Sequence, residues 1–301
     1  MAEITQKDGT WSFDGATLRI VPGHSKGVHI LRRTIGELTV PLHALAGVAH
    51  EPGRRSGRLR LRLRGGADPL LQVTRGKLPD AADPYQLTVE PEQTSVAEYL
   101  VDEVRTALTL EEVPDTPCDR FLLPGPPVPL TATGGDATVS FDGDLIRLVW
   151  NWKTEEGKKA GGPRTIHLED LRGVEWQPSV GWENGHLRFL ASRSGTEAPP
   201  KYDPHAVVLH GSRKDPLTAL VAAAVTARLH PAAPPLPSAP LPSAPPPDAD
   251  PKPPTAGGPA PGGEDHDALL RRLRELGELH TSGVLTTEEF TAAKQAVLRR
   301  F

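Results

Sequence analysis

Cysteine is nearly absent from this chain, since Cys118 is the single one among 301 residues. A lone thiol cannot form an internal disulfide, which indicates a reducing compartment or indifference to redox state. It also cannot build the usual zinc site, and the eleven histidines lack the His-Glu-x-x-His spacing. We therefore expect neither a metal nor a cofactor, and we interpret Cys118 as an inert surface thiol.

Long apolar runs and an excess of positive charge are also missing. The longest apolar run, residues 217–225, is far shorter than the roughly 18 to 20 residues that span a bilayer. The first residues show neither a basic nor an apolar signal region, so we expect a cytoplasmic protein with at most peripheral membrane contact. The formal net charge of −4 argues against a chain built to coat nucleic acid, and we expect no nucleic-acid partner.

What the sequence does contain is an internal repeat. Phe13-Asp14-Gly15 returns 128 positions later as Phe141-Asp142-Gly143. The register continues at similar offsets, with the small drifts that loop insertions produce. Val40, Leu42, Leu45, Gly47 and Val48 correspond to Ile166, Leu168, Leu171, Gly173 and Val174. The repeated residues are apolar strand positions and turn residues, and no cluster of reactive side chains repeats with them.

Composition divides the chain into five segments. The two repeats are predicted at 1–112 and 130–230, joined by a Pro-rich connector at 113–129. Residues 231–265 form a Pro-rich and Ala-rich linker, in which residues 231–263 hold 14 of the chain's 33 prolines. Such a composition has almost nothing to bury and predicts a disordered, extended tether. Residues 266–301 form the fifth segment.

Each repeat shows many short strands followed by one helix. Asp14-Gly15 between two extended segments predicts a hairpin, because both residues tolerate positive φ. Residues 58–64 alternate arginine with leucine, which predicts a strand with its leucines on the core face and its arginines on the other. The core-facing residues of that strand are Leu59, Leu61 and Leu63.

A helix is predicted to close each repeat. Ser95 and Glu98 have the spacing of a capping box, and the apolar face that follows is Val96, Leu100, Val104 and Leu108. In the second repeat Asp215 is the predicted N-cap and Pro216 the first helical residue. The apolar stripe there is Leu217, Leu220, Val221, Ala224 and Val225.

Strands closed by a terminal helix predict a mainly β fold with α-helices. We expect two tandem PH-like rolls, each a bent antiparallel sheet with a C-terminal helix. An OB-type barrel and a generic β-sandwich are the alternatives, although they usually lack a terminal helix.

The last segment, residues 266–301, predicts a two-helix hairpin. Thr286 and Glu289 form a capping box at the start of its second helix. A hairpin this short rarely buries enough apolar surface to fold alone, so it implies self-association or docking onto another protein. The candidate oligomerisation residues are Leu269, Leu273, Leu276, Phe290, Val297 and Phe301.

Two stretches resemble known families. Gly283-Val-Leu-Thr286-Thr-Glu-Glu289-Phe290, with the leucines before it, looks like the SHOCT domain, a short C-terminal helical hairpin of many bacterial proteins. The paired Phe-Asp-Gly segments, with Gly-Arg-Leu-Arg-Leu at 57–61, resemble an actinobacterial family, domain of unknown function 4429, over most of residues 8–230. The first resemblance implies oligomerisation or anchoring. The second implies tandem PH-like domains and supplies neither a ligand nor catalytic residues.

The strongest candidate site is the run of arginines in the first repeat. No acidic residue interrupts it, and guanidinium groups suit phosphates and carboxylates. The run could bind an anionic headgroup, a phosphopeptide or an acidic partner, or it could be a solvated face balanced by acids elsewhere. The second repeat keeps only Arg188 in the corresponding strand. The candidate anion-binding residues are Arg54, Arg55, Arg58, Arg60, Arg62 and Arg64.

Three further motifs are interpreted structurally. Gly23-His-Ser25-Lys-Gly27 has the spacing of a hydrolase nucleophile elbow, but residues 28–31 after it predict a strand where the elbow needs a helix. Residues 157–162 lack the ending of a phosphate-binding P-loop and predict a basic loop. Trp150 and Trp152 are expected to share one strand face, either as part of the core, which is favoured, or as an exposed recognition patch.

These observations favour a non-enzymatic interaction or scaffold protein. Two PH-like modules would be multimerised or docked through the C-terminal hairpin, with a second copy or another protein as the partner. The alternative is a peripheral membrane or anionic-ligand sensor that binds anionic lipid through the arginine strand. A hydrolase using Ser25 ranks third.

Overall fold

A computed structural model describes residues 1–192 and 198–230. The described residues all belong to one compact unit, which contains both repeats. The predicted linker at 231–265, the predicted hairpin at 266–301 and its six candidate oligomerisation residues lie outside the described residues.

Repeat one consists of two antiparallel sheets and a closing helix. Its elements are β1 (Ala2–Gln6), β2 (Gly9–Phe13), β3 (Thr17–Pro22), α1 (Ile30–Ile35), β4 (Leu38–Pro41), β5 (Leu45–Glu51), β6 (Gly57–Leu63), α2 (Pro69–Thr74), β7 (Gln86–Val89) and α3 (Thr94–Leu110). The strand orders are β1-β2-β3-β4 and β5-β6-β7. Short 3₁₀ helices at Leu42–Ala44 and Pro91–Gln93 lead into β5 and α3.

Repeat two has the same order of strands and the same closing helix. Its described elements are β8 (Leu130–Thr133), β9 (Ala137–Phe141), β10 (Leu145–Trp150), α4 (Glu156–Ala160), β11 (Arg164–His167), β12 (Leu171–Gln177), β13 (Gly185–Ala191), β14 (Ala206–Leu209) and α5 (Leu217–Leu229). The sheets run β11-β10-β9-β8 and β12-β13-β14, and a 3₁₀ helix at Leu168–Asp170 precedes β12. The prediction of a mainly β protein with two tandem β-rich repeats is confirmed.

The predicted hairpin turns form as the Asp-Gly pairs require. Gly15 has φ 103° and Gly143 has φ 128°, a region that favours glycine. Asp14 Oδ1 accepts hydrogen bonds from the amides of Ala16 and Thr17 at 2.9 and 2.7 Å. In the second repeat the amides of Asp144 and Leu145 bind Asp142 in the same way, which lowers the pKa of Asp142.

Helix α5 is surrounded by protein, whereas the prediction gave it a single apolar stripe. All nine residues from Thr218 to Thr226 are buried. The added contacts come from repeat one, because α1 and α2 pack on α5. Leu31 of α1 and Leu70 and Val73 of α2 belong to the hydrophobic core of repeat two. The two repeats therefore share a core.

The connector at 113–129 also contributes to that junction. The amides of Leu122 and Leu123 donate to the carbonyl of Ala67 at 2.8 and 3.0 Å, and Leu123 is buried in repeat one. Gly125 approaches helix α5 so closely that a Cβ there would lie 2.3 Å from the Cβ of Ala227. The connector therefore packs on both repeats and helps to hold them together.

Two predictions of local structure were wrong. Residues 28–31 do not form a strand, because His29 caps helix α1 by accepting a hydrogen bond from the amide of Leu31 at 3.2 Å. Their apolar side chains suggested a strand, but burial of Leu31 in the other repeat decides the helical form. Residues 157–162 are not a simple loop either, because most of them belong to helix α4.

The predicted caps of both closing helices were also wrong. Helix α3 begins at Thr94 directly after a 3₁₀ helix, so Ser95 lies inside it and no side chain caps its start. The carboxylate of Asp215 accepts from the amides of Gly211 and Ser212 at 2.8 and 3.0 Å. It therefore stabilises the turn before α5 and does not cap the helix.

Candidate functional site

Strand β6 displays the predicted arginine face. Gly57–Leu63 pairs with β5 on one side and β7 on the other. Leu59, Leu61 and Leu63 are buried, as the alternation predicted, and the intervening arginines point to the other face. The central position of β6 holds these arginines in fixed register.

Acidic side chains from two other segments lie against the middle of this face. Asp80 Oδ2 lies 2.7 Å from Arg58 Nη1, and its Oδ1 lies 3.9 Å from Arg60 Nη2. Asp115 Oδ1 lies 3.7 Å from Arg62 Nη2. Exposed pairs of this kind contribute little stability. They do reduce the positive charge that the strand offers to an anion.

The remaining candidate arginines lie at the two ends of the strand. Arg64 donates from Nε to the Thr116 carbonyl and from Nη1 to the His43 carbonyl, both at 2.8 Å. Arg54 and Arg55 lie in the exposed turn before β6 and form no ion pair with a residue of 1–192 or 198–230. Three of the six arginines thus line the strand face, and the other three lie beyond its ends.

A groove of about 660 Å³ lies beside this face, between strand β5 and helix α3. Strand β5 is an edge strand of its sheet. The lining combines small and apolar residues with three arginines and one acid. Its principal residues are Gly47, Val48, Arg60, Arg62, Arg105 and Leu108, with Glu51 at the end of β5. Sequence reasoning identified Arg60 and Arg62 but missed Arg105, because α3 joins them only in the folded chain.

The equivalent groove in repeat two lies between β12 and α5 and is filled by repeat one. Helix α2 packs against both of these elements. A cavity of about 160 Å³ remains, and its lining includes residues of both repeats. Val73 comes from α2, Gly173 and Val174 from β12, and Leu229 from α5.

A buried ion pair anchors helix α4 in repeat two. Lys158 Nζ donates to Asp136 Oδ2 at 2.7 Å and to the carbonyls of Pro200 and Ala206 at 2.9 Å each. The three donors of the ammonium group are therefore all satisfied. The lysine side chain is fully buried, and Asp136 Oδ1 also accepts from the Val208 amide at 2.8 Å.

Repeat one has the same arrangement with an arginine. Asp8 Oδ2 lies 3.3 Å from Arg32 Nη1 of α1 and accepts from the Thr88 amide at 3.1 Å. The two aspartates are 128 positions apart and the two cations 126, so the pairing is part of the repeat. Sequence reasoning missed it, although those offsets were the signal that could have found it. Each pair joins a short helix to both sheets of its own repeat.

Asp68 and Tyr85 form a further buried pair at the start of helix α2. The carboxylate of Asp68 accepts from the amides of Leu70 and Leu71 at 3.0 and 3.1 Å and from the Tyr85 hydroxyl at 2.9 Å. Burial raises the pKa of Asp68 against the opposing effect of these hydrogen bonds. Burial and the neighbouring carboxylate hold the pKa of Tyr85 well above its usual range. The pair fixes the direction in which α2 leaves repeat one.

A family model described as "domain of unknown function (DUF4429)" matches residues 11–105 and 139–226. Together the two regions span more than half of the chain. The chain belongs to this family. Both DUF4429 regions begin three residues after an aspartate of the duplicated ion pairs and end within a closing helix. No curated protein matches the sequence.

Among the remaining sequence motifs, one tryptophan lies where the sequence did not predict it. Trp150 is half-buried and donates from Nε1 to the Gly162 carbonyl at 2.7 Å, whereas Trp152 follows the strand and is 82% exposed. The expectation that both indoles share a core face was therefore wrong for Trp152. Ser25 is exposed in the loop after β3, and the next helix begins at Ile30. Cys118 is half-buried in the connector.

No helix within 1–192 or 198–230 is both long and apolar enough to cross a membrane. In the same part of the chain, no three histidines, cysteines or acids are grouped to hold a metal ion.

Proposed function

We propose that this DUF4429 protein is a non-enzymatic interaction protein, a scaffold made of two PH-like modules and a self-associating tail. The observation that carries the proposal is the docking of helix α2 into the groove between β12 and α5. One copy of the repeat thus already binds a helix, and the other copy has the same groove.

The buried charged groups support a binding role for the repeats. Asp8 with Arg32, and Asp136 with Lys158, tie a short helix to the strands that flank it. A buried pair of this kind contributes most to geometry, since desolvation offsets much of its attraction. These groups hold the surfaces of the two repeats in fixed positions, which is what a binding platform requires.

The tail supplies the second part of the proposal. Residues 266–301 resemble a SHOCT hairpin, and the two short amphipathic helices predicted there would leave apolar faces that a second copy or another protein would cover. Linked weak sites gain affinity from their effective concentration without any new contact. A self-associating tail would therefore multiply weak binding by the repeats.

Light scattering tests this proposal. We expect the full chain to form oligomers and a chain ending at residue 230 to be monomeric. Phe290→Glu should abolish the oligomer because it places a charge on the predicted apolar face. Gln295→Glu adds the same charge off that face and should have no effect. Equal monomeric masses for the full and the shortened chain would refute self-association.

A second candidate function is contact with an anionic membrane surface. It rests on Arg54 and Arg55, which are exposed and form no ion pair with a described residue. Basic residues near an anionic surface contribute about 1 kcal/mol each. Sedimentation with phosphatidylserine vesicles should then depend on salt and weaken in the Arg54→Ser/Arg55→Ser variant. A chain that stays in the supernatant excludes this function.

A further inference from the structure

The two grooves beside the closing helices correspond position by position. Gly47 and Val48 of β5 are equivalent to Gly173 and Val174 of β12, and Leu108 of α3 is equivalent to Leu229 of α5. All six residues line their respective cavities. The same surface of the same fold is therefore covered in repeat two and open in repeat one.

The cover in repeat two is a short helix with two aliphatic anchors. Leu70 and Val73 of α2, three positions apart, are buried in the repeat-two core. Residues at this spacing lie on one face of a helix. The groove thus accepts a helix of about two turns that presents a leucine and a valine on one side.

The two grooves differ in charge. In repeat two, Arg75 and Lys77 at the end of α2 line the same cavity as Glu175 of β12. In repeat one, Ala49 replaces that glutamate and Arg105 replaces Thr226 of α5. Arg60 and Arg62 add further positive charge to the lining, where Glu51 is the one acid. Asp80 and Asp115, which lie outside the lining, offset part of this charge through their pairs with Arg60 and Arg62. A helix with a basic end therefore suits the groove of repeat two, and a helix with an acidic end suits the groove of repeat one.

The open groove also contains an unsatisfied donor. Arg60 Nε is buried and makes no hydrogen bond to a described residue, and its ion-pair partner Glu51 Oε2 lies 3.9 Å away, beyond hydrogen-bond distance. A buried donor without a partner is costly, and a carboxylate is the partner that a guanidinium prefers. An acidic side chain entering the groove would supply it.

Within the part of the chain that the structure describes, repeat two offers no helix with which a second copy could cover this groove in the same way. Helix α2 lies in the connection between β6 and β7. The described part of the matching connection between β13 and β14, residues 198–205, contains no helix. The described residues of a second copy therefore supply no occupant that imitates α2, which favours a different protein as its source.

We propose that the groove between β5 and α3 binds a short amphipathic helix of another protein. The helix would carry two aliphatic residues three positions apart and acidic residues at the positions of Arg75 and Lys77. This inference rests on the proposed interaction function and names the chemistry of its partner.

The probe is a synthetic peptide of residues 67–78 that carries Arg75→Glu and Lys77→Glu. Fluorescence anisotropy with the full chain should show binding at least about fivefold tighter than for the unsubstituted peptide, because the charges now oppose those of the groove. A benzophenone at the position of Gln72 should crosslink to residues 46–49 or 105–109 of the wild-type chain. Absence of binding, or crosslinks confined to other regions, would overturn the proposal.

Two groove variants have matched controls elsewhere on the surface. A Cβ at Gly47 would meet nothing within 4 Å, so Gly47→Trp should fill the groove without a clash. We expect it to weaken peptide binding at least about tenfold, and Arg62→Glu/Arg105→Glu to do the same. Gly157→Trp is also placed in open space and Arg147→Glu also reverses an exposed charge, and both should bind within about twofold of wild type. Equal affinities for groove and control variants would contradict the proposal.

Measuring the oligomer distinguishes a failure of the groove proposal from a failure of the scaffold function on which it rests. Gly47→Trp should leave the oligomer seen by light scattering unchanged, because the tail is proposed to form it. If the chain forms an oligomer but does not bind the peptide, only the proposal of a helix-binding groove is refuted. If a monomeric chain binds the peptide, the self-associating scaffold is refuted and the proposal of a helix-binding groove stands.

Discussion

Helices α3 and α5 close equivalent repeats, yet their outer faces differ. In α3 that face consists of Glu98, Tyr99, Asp102 and Glu103, all exposed. At the equivalent positions of α5 lie Ala219, Leu220, Ala223 and Ala224, all buried. The first helix faces solvent on one side, and the second is covered by helices of the other repeat.

This difference shows how a duplicated domain can diverge without changing its fold. The strands and sheet orders of the two repeats agree, so the inner faces of both helices pack against equivalent strands. Repeat one has a helix, α2, that reaches across to repeat two, and small apolar residues on α5 allow the close approach. Repeat two then depends on repeat one for its core, whereas repeat one leaves its own groove open.

The largest predicted effect comes from giving α5 the outer face of α3. Ala223→Asp introduces the residue that α3 has at the equivalent position, Asp102. It would bury a charge without a counter-ion between the repeats, at a cost of about 3–5 kcal/mol. Urea unfolding of the full chain should show this loss of free energy.

The reverse exchange is the control. Asp102→Ala in α3 changes an exposed position and should alter the free energy of unfolding by less than about 0.5 kcal/mol. Similar losses for both variants would mean that the outer faces of the two helices do not differ in burial.

A somewhat smaller effect compares the two ion pairs. Lys158→Met leaves Asp136 buried without its counter-ion and should cost about 3 kcal/mol. Arg32→Met leaves Asp8, whose side chain is 23% exposed, so water can replace part of the lost interaction and the cost should be about 1–2 kcal/mol. Urea unfolding measures both.

A second substitution checks that explanation. Adding Asp136→Asn to Lys158→Met removes the unpaired charge and should recover part of the lost stability. If it instead adds a further loss, the aspartate is held by its hydrogen bonds and not by the lysine. Equal costs for Lys158→Met and Arg32→Met would remove the contrast between the repeats.

The smallest effect is a pH dependence at the junction of the repeats. Burial, followed by the charges of Arg213 and Arg32, lowers the pKa of His29 below its usual value of 6.5. The neutral ring therefore stabilises the fold above about pH 6.5, and this contribution is lost as the pH falls towards the folded-state pKa. His29→Asn keeps a capping acceptor but cannot titrate.

We expect wild type to lose more unfolding free energy than His29→Asn when the pH is lowered from about 7.5 to about 5.5. Urea unfolding at both pH values gives the comparison. His24→Asn makes the same change at an exposed position five residues earlier and should behave as wild type. An unchanged pH dependence in His29→Asn would show that the junction does not respond to protonation.

Local patterns predicted a large part of the fold. The Asp-Gly hairpins, the alternating strand β6 and the two closing helices are encoded by neighbouring residues and appear where predicted. The errors at residues 28–31 and 157–162 have a common cause. Both stretches form short helices whose key side chains, Leu31 and Lys158, are buried against distant parts of the chain.

The candidate site was only partly predictable for the same reason. The arginine face of β6 follows from alternation, but its acidic partners Asp80 and Asp115 lie outside the strand. The third arginine of the groove, Arg105, belongs to a helix 43 positions after Arg62. Periodicity places side chains on faces of single elements, and it carries no information on which elements meet.

The sequence by itself determined that one β-rich domain occurs twice, because apolar spacing and turn residues act over short distances. Only the tertiary structure decided that the two copies are unequal. Helix α2 covers the groove of one copy and leaves that of the other open, and this depends on packing between residues more than 100 positions apart. Burial across such distances creates both the shared core and the open groove.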